Sequence, residues 1–459
     1  MIRLYHKHKE ILHIGLPWIV LFLALNIPFY EDGDVNAYSR YAAMRAMSME
    51  GTFQIDNMVH WTMDWAKAPN GHYYSNKAPG PMLISYPVFW LLDKFKQVTS
   101  EGFMSNYKDK WTVGFEHKVA IPLIFQMIPF CLLVLFIINI LKENNVSEVA
   151  ITFTAIAILF GNTASLMMTT WFGHGFSAWL ILAIFVSLYY QRYMLLGLFS
   201  GTAILSDYSI VLFLPGILIY VLYKSEFSFS FIRKTALGTV IPVLLWVWYH
   251  WVCFGNPFLI PNMFQNPQFG ASDLGGQFHL LPQLTILRKL IFGDERGILY
   301  TQPWVLLILI TGIYYLTKKS FGKNYKALIL LAFVSFALLI LMNSAFTGWH
   351  GGSTPGPRYL SPVLPLLAVI AGFIYDKSSP LFKHAAWILL GITMIFYGLV
   401  YANSILAFEY FTIWTWLLDY LIQGRGSWLR LAIYILSMSA VIVYVFKFRL
   451  KASTQDIYS

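Results

Sequence analysis

Apolar runs near twenty residues recur from one end of this chain to the other, and the links between them carry lysines and arginines. A continuous run of that length is what an α-helix needs to cross a bilayer. Lipid offers the backbone no hydrogen-bond partners, so each run must satisfy its own amides as a helix. Composition agrees: of 459 residues, 58% are hydrophobic and 12% are charged, about half the charge of a soluble domain. The chain therefore reads as an all-α polytopic membrane protein, with residues 1–459 forming one transmembrane domain. The net charge of +10 would by itself admit nucleic acid. The cations cluster between spans, however, as the positive-inside rule requires, so membrane lipids are the expected partner and nucleic acid is not. Cys131 and Cys253 both lie in apolar stretches and read as packing residues, with no disulfide or zinc spacing. The first apolar stretch lacks a small-residue cleavage site and reads as a retained span.

Arg3, Lys7 and Lys9 precede the first run at 11–30, which places the N-terminus in the cytoplasm. A first extracytoplasmic loop follows at 31–118, with a helix at 35–49 that Gly51 would end. Its apolar stretch 81–92 is too short to cross and is expected to lie in the interface. The run 194–223 carries Asp207 near its middle and reads as two short crossings meeting at the outer face. A second extracytoplasmic loop covers 255–302. The cation pattern gives about twelve crossings with both termini inside. The Tyr- and Trp-rich segment 408–428 fits an interfacial aromatic belt. No internal repeat of the kind transporters show is visible. No Walker or dinucleotide motif appears either, which argues against a nucleotide donor at the inner face.

With this topology three segments share the outer face: Asp32-Gly33-Asp34, Tyr74-Ser75-Asn76-Lys77-Ala78-Pro79-Gly80 and Gly356-Pro357-Arg358-Tyr359. Asp32 sits beside a flexible glycine and a second carboxylate, a setting for a general base toward a hydroxyl. Asp34 has two readings, a catalytic carboxylate or a helix cap. Lys77, on a turn stiffened by Pro79, suits a phosphate as a point charge, or else snorkels. Arg358, in a loop shaped by glycines and prolines, suits bidentate grip on phosphate oxygens, or else anchors a span end. Arg296, in Gly293-Asp294-Glu295-Arg296-Gly297, is a further phosphate candidate. Tyr38, Tyr74, His350 and Tyr359 are the substrate-binding candidates beside them. His174, between Gly173 and Gly175, reads as a turn residue, and Asp207 as the mark of a turn between spans. No His and carboxylate spacing resembles a zinc site, and no metal ligand is assigned.

These residues, taken in order, resemble the GT-C superfamily of integral membrane glycosyltransferases. The resemblance is to the bacterial branch similar to dolichyl-phosphate-mannose protein mannosyltransferases and lipid A aminoarabinose transferases. It rests on Asp32, then Tyr38 and Tyr41, Gly51 and Lys77-Ala78-Pro79-Gly80 in the first loop. It continues with Gly197-Leu198-Phe199-Ser200-Gly201-Thr202-Ala203, Phe254-Gly255-Asn256-Pro257, Arg296-Gly297-Ile298 and Gly356-Pro357-Arg358-Tyr359. Two departures stand out: the family's acidic pair is Asp32-Gly33 here, and the first proline of its turn is Ala78. The resemblance implies a GT-C fold in a bacterial cytoplasmic membrane with its site facing outward. It also implies transfer of one sugar from a polyprenyl-phosphate donor to a lipid, glycan or protein hydroxyl, with inversion. A divalent cation, Mg or Mn, stays open. The rival classes are a transporter or flippase of a lipid-linked sugar, which would place its charges near the midplane, and a membrane scaffold.

Overall fold

The computed structural model describes residues 2–29, 35–100, 114–269, 274–319, 321–352, 354–403 and 413–455. Asp32 and Asp34 lie outside the described residues. Among those described, five helices are long and apolar enough to cross a membrane: Glu116–Glu143, Phe229–Phe254, Lys323–Ala345, Arg358–Tyr375 and Pro380–Asn403. Eight shorter apolar helices accompany them. Each expected crossing coincides with one of these helices. The remaining one, Ile413–Ile422, falls in the aromatic segment expected at the interface.

Two breaks show how single polar residues cut an apolar run. The apolar stretch 149–168 is not one helix: Glu148–Phe160 stops because Asn162 serves both neighbouring helix ends. Its Nδ2 donates to Ala157 O and Ile158 O at 2.7 and 2.8 Å, while its Oδ1 accepts from Ala164 N at 2.9 Å. Carbonyls and amides left over at helix ends are thereby satisfied inside the bundle. At Asp207 the backbone is extended, with φ −155° and ψ 111°. Its Oδ1 accepts from Ser209 N at 3.1 Å and Ser209 Oγ at 2.7 Å, which starts the next helical turn. The break expected at this residue is present.

The helices sort by burial. Leu364–Tyr375 is buried along its whole length, and Glu148–Phe160 and Gly173–Tyr189 nearly so. Phe229–Phe254 instead exposes Ile241, Leu244 and Trp251, the large apolar side chains of a lipid-facing helix. The bundle has two unlike ends. At one, short links meet: Asp376 accepts from Ser147 N and Oγ at 2.7 and 2.5 Å, and Lys323 Nζ donates to Ser225 Oγ at 3.2 Å. Lys142, Lys224, Lys318 and Lys377 lie in the last turns or links on this side.

The other end is rich in loops. The helix Val35–Glu50 ends at Gly51, whose φ is 67°. A short helix, Asp56–Trp61, leads into a hairpin of Trp65–Lys67 and Tyr73–Ser75. The second loop adds to this hairpin: Ala66 bridges to Gln265, and Asn266 N donates to Trp65 O at 3.0 Å. The helix expected at 81–92 runs from Gly80 to Ser100. It is held by one carboxylate. Asp93 meets Arg45 Nη1 at 2.7 Å and His117 Nε2 at 2.9 Å, and accepts from Ser48 Oγ at 2.7 Å. Arg45 also stacks over Phe89. Burial pushes the Asp93 carboxyl up, but His117, Arg45 and Ser48 outweigh it and hold it below the usual carboxylate range.

Candidate active site

The hairpin register builds the first half of the site. Trp65 pairs with Ser75, so the residues just beyond, Asp64 and Asn76, also face each other. Asn76 N donates to Asp64 O at 3.3 Å. Lys77 therefore emerges beside Asp64, and its Nζ lies 3.0 Å from Asp64 Oδ2. Ser39 pins the pair to the Val35–Glu50 helix: its Oγ donates to Asp64 O and lies 2.7 Å from Ser75 Oγ. Burial lowers the pKa of Lys77. Asp64 opposes that shift, and Arg358 and Arg40 add to it. Both arginines therefore lie within electrostatic reach of Lys77.

The second half is the turn Trp171–His174, where both arginines meet. Arg40 follows Ser39 on its helix, and its Nη1 donates to Trp171 O at 3.2 Å. The Arg358 guanidinium lies 5.5 Å from the centre of the Phe172 ring and 5.2 Å from that of Tyr359. Residue 173 must be glycine, because a Cβ there would fall 2.6 Å from Ser206 O and 3.0 Å from Arg40 Nη2. The helix Gly173–Tyr189 begins at this point, and its N-cap, Phe172, offers no side-chain acceptor. The first-turn amides and the helix dipole thus add to the positive field of the arginines. His174 stands in this first turn. Its Nδ1 lies 2.7 Å from Asp207 Oδ2, and its ring meets the Tyr359 ring edge-on at 5.2 Å.

The structure brings Arg358 and Tyr359 together and adds Arg40, His174 and Asp207, while Lys77, paired with Asp64, lies within electrostatic reach of both arginines. It assigns Arg296 elsewhere. This arginine is 4% exposed and its Nη1 donates to the carbonyls of His350, Gly352 and Thr354. It braces the backbone of the loop that leads to Arg358, because its guanidinium fits three convergent carbonyls. His350 accepts from Gly352 N through Nδ1 at 3.1 Å. Burial lowers its pKa, and Arg296 and Arg358 lower it further, with Glu295 opposing. Tyr74 is 2% exposed against Phe254, with its hydroxyl accepting from Asn70 Nδ2 at 2.9 Å. It is a core residue of the hairpin, since its strand turns it inward. Tyr38 accepts from Lys118 Nζ at 2.7 Å and packs on Tyr41 and Trp61. Gly80, which closes the same turn as Lys77, lets the backbone pass close to Leu205 and Ser206.

Asn70-Gly71 is the signal that exposes Asp64, because this dipeptide between aromatic residues marks a hairpin. Arg40 and the His174–Asp207 pair have no such local sign, since they meet only through tertiary packing. No group of three or more His, Cys, Asp or Glu side chains fit to hold a metal occurs among the described residues. Asp64 and Asp207 are engaged by Lys77 and His174.

The crystal structure of ArnT from Cupriavidus metallidurans bound to undecaprenyl phosphate aligns with 94% of this chain and 76% of its own. The TM-score is 0.50 at 16% identity. The fold is that of the GT-C glycosyltransferases. The apo structure of the same ArnT covers 94% of this chain and 75% of its own, with a TM-score of 0.48 at 16% identity. No family model and no curated protein matches the chain. In this GT-C fold the cationic turn sits at the loop-rich end of an integral membrane protein.

Proposed function

We propose that this protein transfers a sugar from a polyprenyl-phosphate donor to an acceptor hydroxyl, on a lipid, glycan or protein, at the outer face of the membrane. The observation that carries the reading is that Arg40 and Arg358 meet at the N-terminus of the Gly173–Tyr189 helix, with Lys77 within electrostatic reach of both. Cations gathered around a helix N-terminus suit a phosphate. A carrier lipid is the natural bearer of that phosphate in a protein made of apolar helices, and the ArnT that shares this fold holds undecaprenyl phosphate. The lysines gathered at the opposite end support an outward-facing site.

In this mechanism Arg358 and Lys77 stabilise the charge that develops on the leaving phosphate as the bond to the anomeric carbon breaks. Fixed donors of this kind contribute about 10²–10³ in rate each, so no separate acid is required. Asp32 takes the acceptor proton as general base, and Asp34 is the second carboxylate of the pair. Attack from the face opposite the phosphate inverts the anomeric carbon. No step is routed through a divalent cation, because the described carboxylates of the site are already paired with Lys77 and His174.

The test compares surface glycolipids, glycans and glycoproteins by mass spectrometry in a strain lacking the protein. One sugar should be missing, restored by the wild-type chain and not by Arg358→Ala. Unchanged glycans would sink the proposal. Topology is tested separately: a cysteine placed at Asn70 should react with an impermeant reagent in intact cells, and reaction only after permeabilisation would put the site on the wrong side.

A further inference from the structure

His174 and Asp207 form a hydrogen-bonded pair that the transfer mechanism above leaves without a role. Their geometry is restrained from two sides. Asp207 is fixed by Ser209 N and Oγ at 3.1 and 2.7 Å, at a helix break that only a capping side chain explains. The imidazole is fixed by Asp207 through Nδ1 and by its edge-on contact with the Tyr359 ring. With Nδ1 facing a carboxylate, the neutral ring carries its proton on Nδ1 and leaves Nε2 as an acceptor. The one hydrogen bond seen for the ring among the described residues is made through Nδ1. Among the described residues, the charged groups within electrostatic reach of this ring are Asp207, Arg358 and Arg40. The same two arginines flank Lys77, so the imidazole belongs to the cationic turn itself.

We propose that His174, oriented by Asp207, is a proton-carrying ligand of the donor phosphate. As the phosphate enters, Nε2 takes one proton from solvent and donates a hydrogen bond to a phosphate oxygen, while Asp207 holds the imidazolium through Nδ1. This deepens the transferase reading and rests on it. The coupling follows from the surroundings. The guanidiniums of Arg40 and Arg358 disfavour a further positive charge, and an entering phosphate favours one. Phosphate binding and protonation at Nε2 therefore promote each other, as any two linked equilibria must. After transfer, the free polyprenyl phosphate carries more negative charge than the sugar-bearing donor, so the protonated ring binds the product more firmly than the donor. His174 thus also makes product release depend on pH, with release easier as the proton is lost.

The experiment is calorimetric titration of the full-length protein in lipid nanodiscs with undecaprenyl phosphate, at pH 6 to 8 in buffers of different ionisation heat. The wild type should take up protons on binding, and its affinity should fall as pH rises, by up to about tenfold per unit for one linked proton. His174→Gln should lose that uptake and bind roughly tenfold more weakly at pH 6 than the wild type, with little difference at pH 8. Asp207→Asn should reduce the pH dependence while binding persists. A wild type whose net proton exchange is fully accounted for by the phosphate's own second ionisation near pH 6 overturns the inference without need of any variant. So does His174→Gln with unchanged uptake and affinity. In both cases tight binding of the polyprenyl phosphate would leave the transferase reading standing, whereas a wild type that does not bind it at all defeats both.

Discussion

Two buried charge clusters lie at the loop-rich end of the bundle, and they are built in opposite ways. One is centred on an anion: Asp93 is enclosed by Arg45, His117 and Ser48 and joins the Val35–Glu50 helix, the Gly80–Ser100 helix and the start of Glu116–Glu143. The other gathers cations: Arg40 and Arg358 meet the turn Trp171–His174 and Lys77 lies within electrostatic reach of both, with Asp64 and Asp207 as the described carboxylates among them. A carboxylate ringed by donors is satisfied by the fold alone, whereas grouped cations draw in negative charge. The first arrangement is architecture, and the second is where the proposed function places the donor phosphate. The same contrast separates the arginines, since Arg296 holds backbone carbonyls and Arg358 lies over aromatic rings.

Removing the anion at the centre of the first cluster should have the largest effect. Asp93→Asn leaves Arg45 buried beside an amide and should cost about 3–5 kcal/mol of stability, read by thermal unfolding in detergent. Any loss of transfer should follow the loss of folded protein. Because the Asp93 carboxyl is held below the usual range, its stabilisation is complete above the range of a free carboxyl. It is lost as pH falls through the lower folded value. Wild-type melting should therefore drop in acid more than that of Asp93→Asn, and parallel curves would erase the distinction between the clusters. In the second cluster the pattern should invert: Arg358→Ala should cut turnover by about 10²–10³ with melting near that of the wild type. A collapse of stability instead would make Arg358 architecture too.

Asp32→Asn should lower turnover by roughly a hundredfold while polyprenyl-phosphate binding is retained, the pattern of a lost base. Near-normal transfer by this variant would remove the base assignment. Arg296→Lys sharpens the contrast between arginines. The lysine stem ends one atom short of Nη1 and lacks the planar guanidinium, so the loop should lose about 1–2 kcal/mol. Activity should fall modestly and recover on cooling. Tyr74→Phe should cost about 1 kcal/mol or less and leave the kinetics unchanged. A rise in KM in that variant would return Tyr74 to the substrate site.

The contrast also explains what the sequence could disclose. Spans were legible because apolar length and cation position act locally, and the break at Asp207 because a lone carboxylate in an apolar run needs a reason. The helix Val35–Glu50 was legible from its bounding Gly51. Lys77 and Arg358 stood out through their stiff, Gly- and Pro-shaped loops. Arg40 did not, because nothing near it in sequence shows that its helix lies against the turn Trp171–His174. Arg296 and Arg358 look equivalent in sequence, each beside a glycine-rich loop. Only the convergence of carbonyls on Arg296 separates them.

The bridge between Ala66 and Gln265 bears on how such a protein can be re-engineered. A two-stranded hairpin has an open edge whose amides and carbonyls invite pairing with other chains. Here the second loop closes part of that edge, with Asn266 N on Trp65 O. A chimera that takes its first loop from one parent and its second from another would leave that edge bare unless the register of both strands is carried across. The two loops are therefore a single exchangeable module, and grafts should move them together.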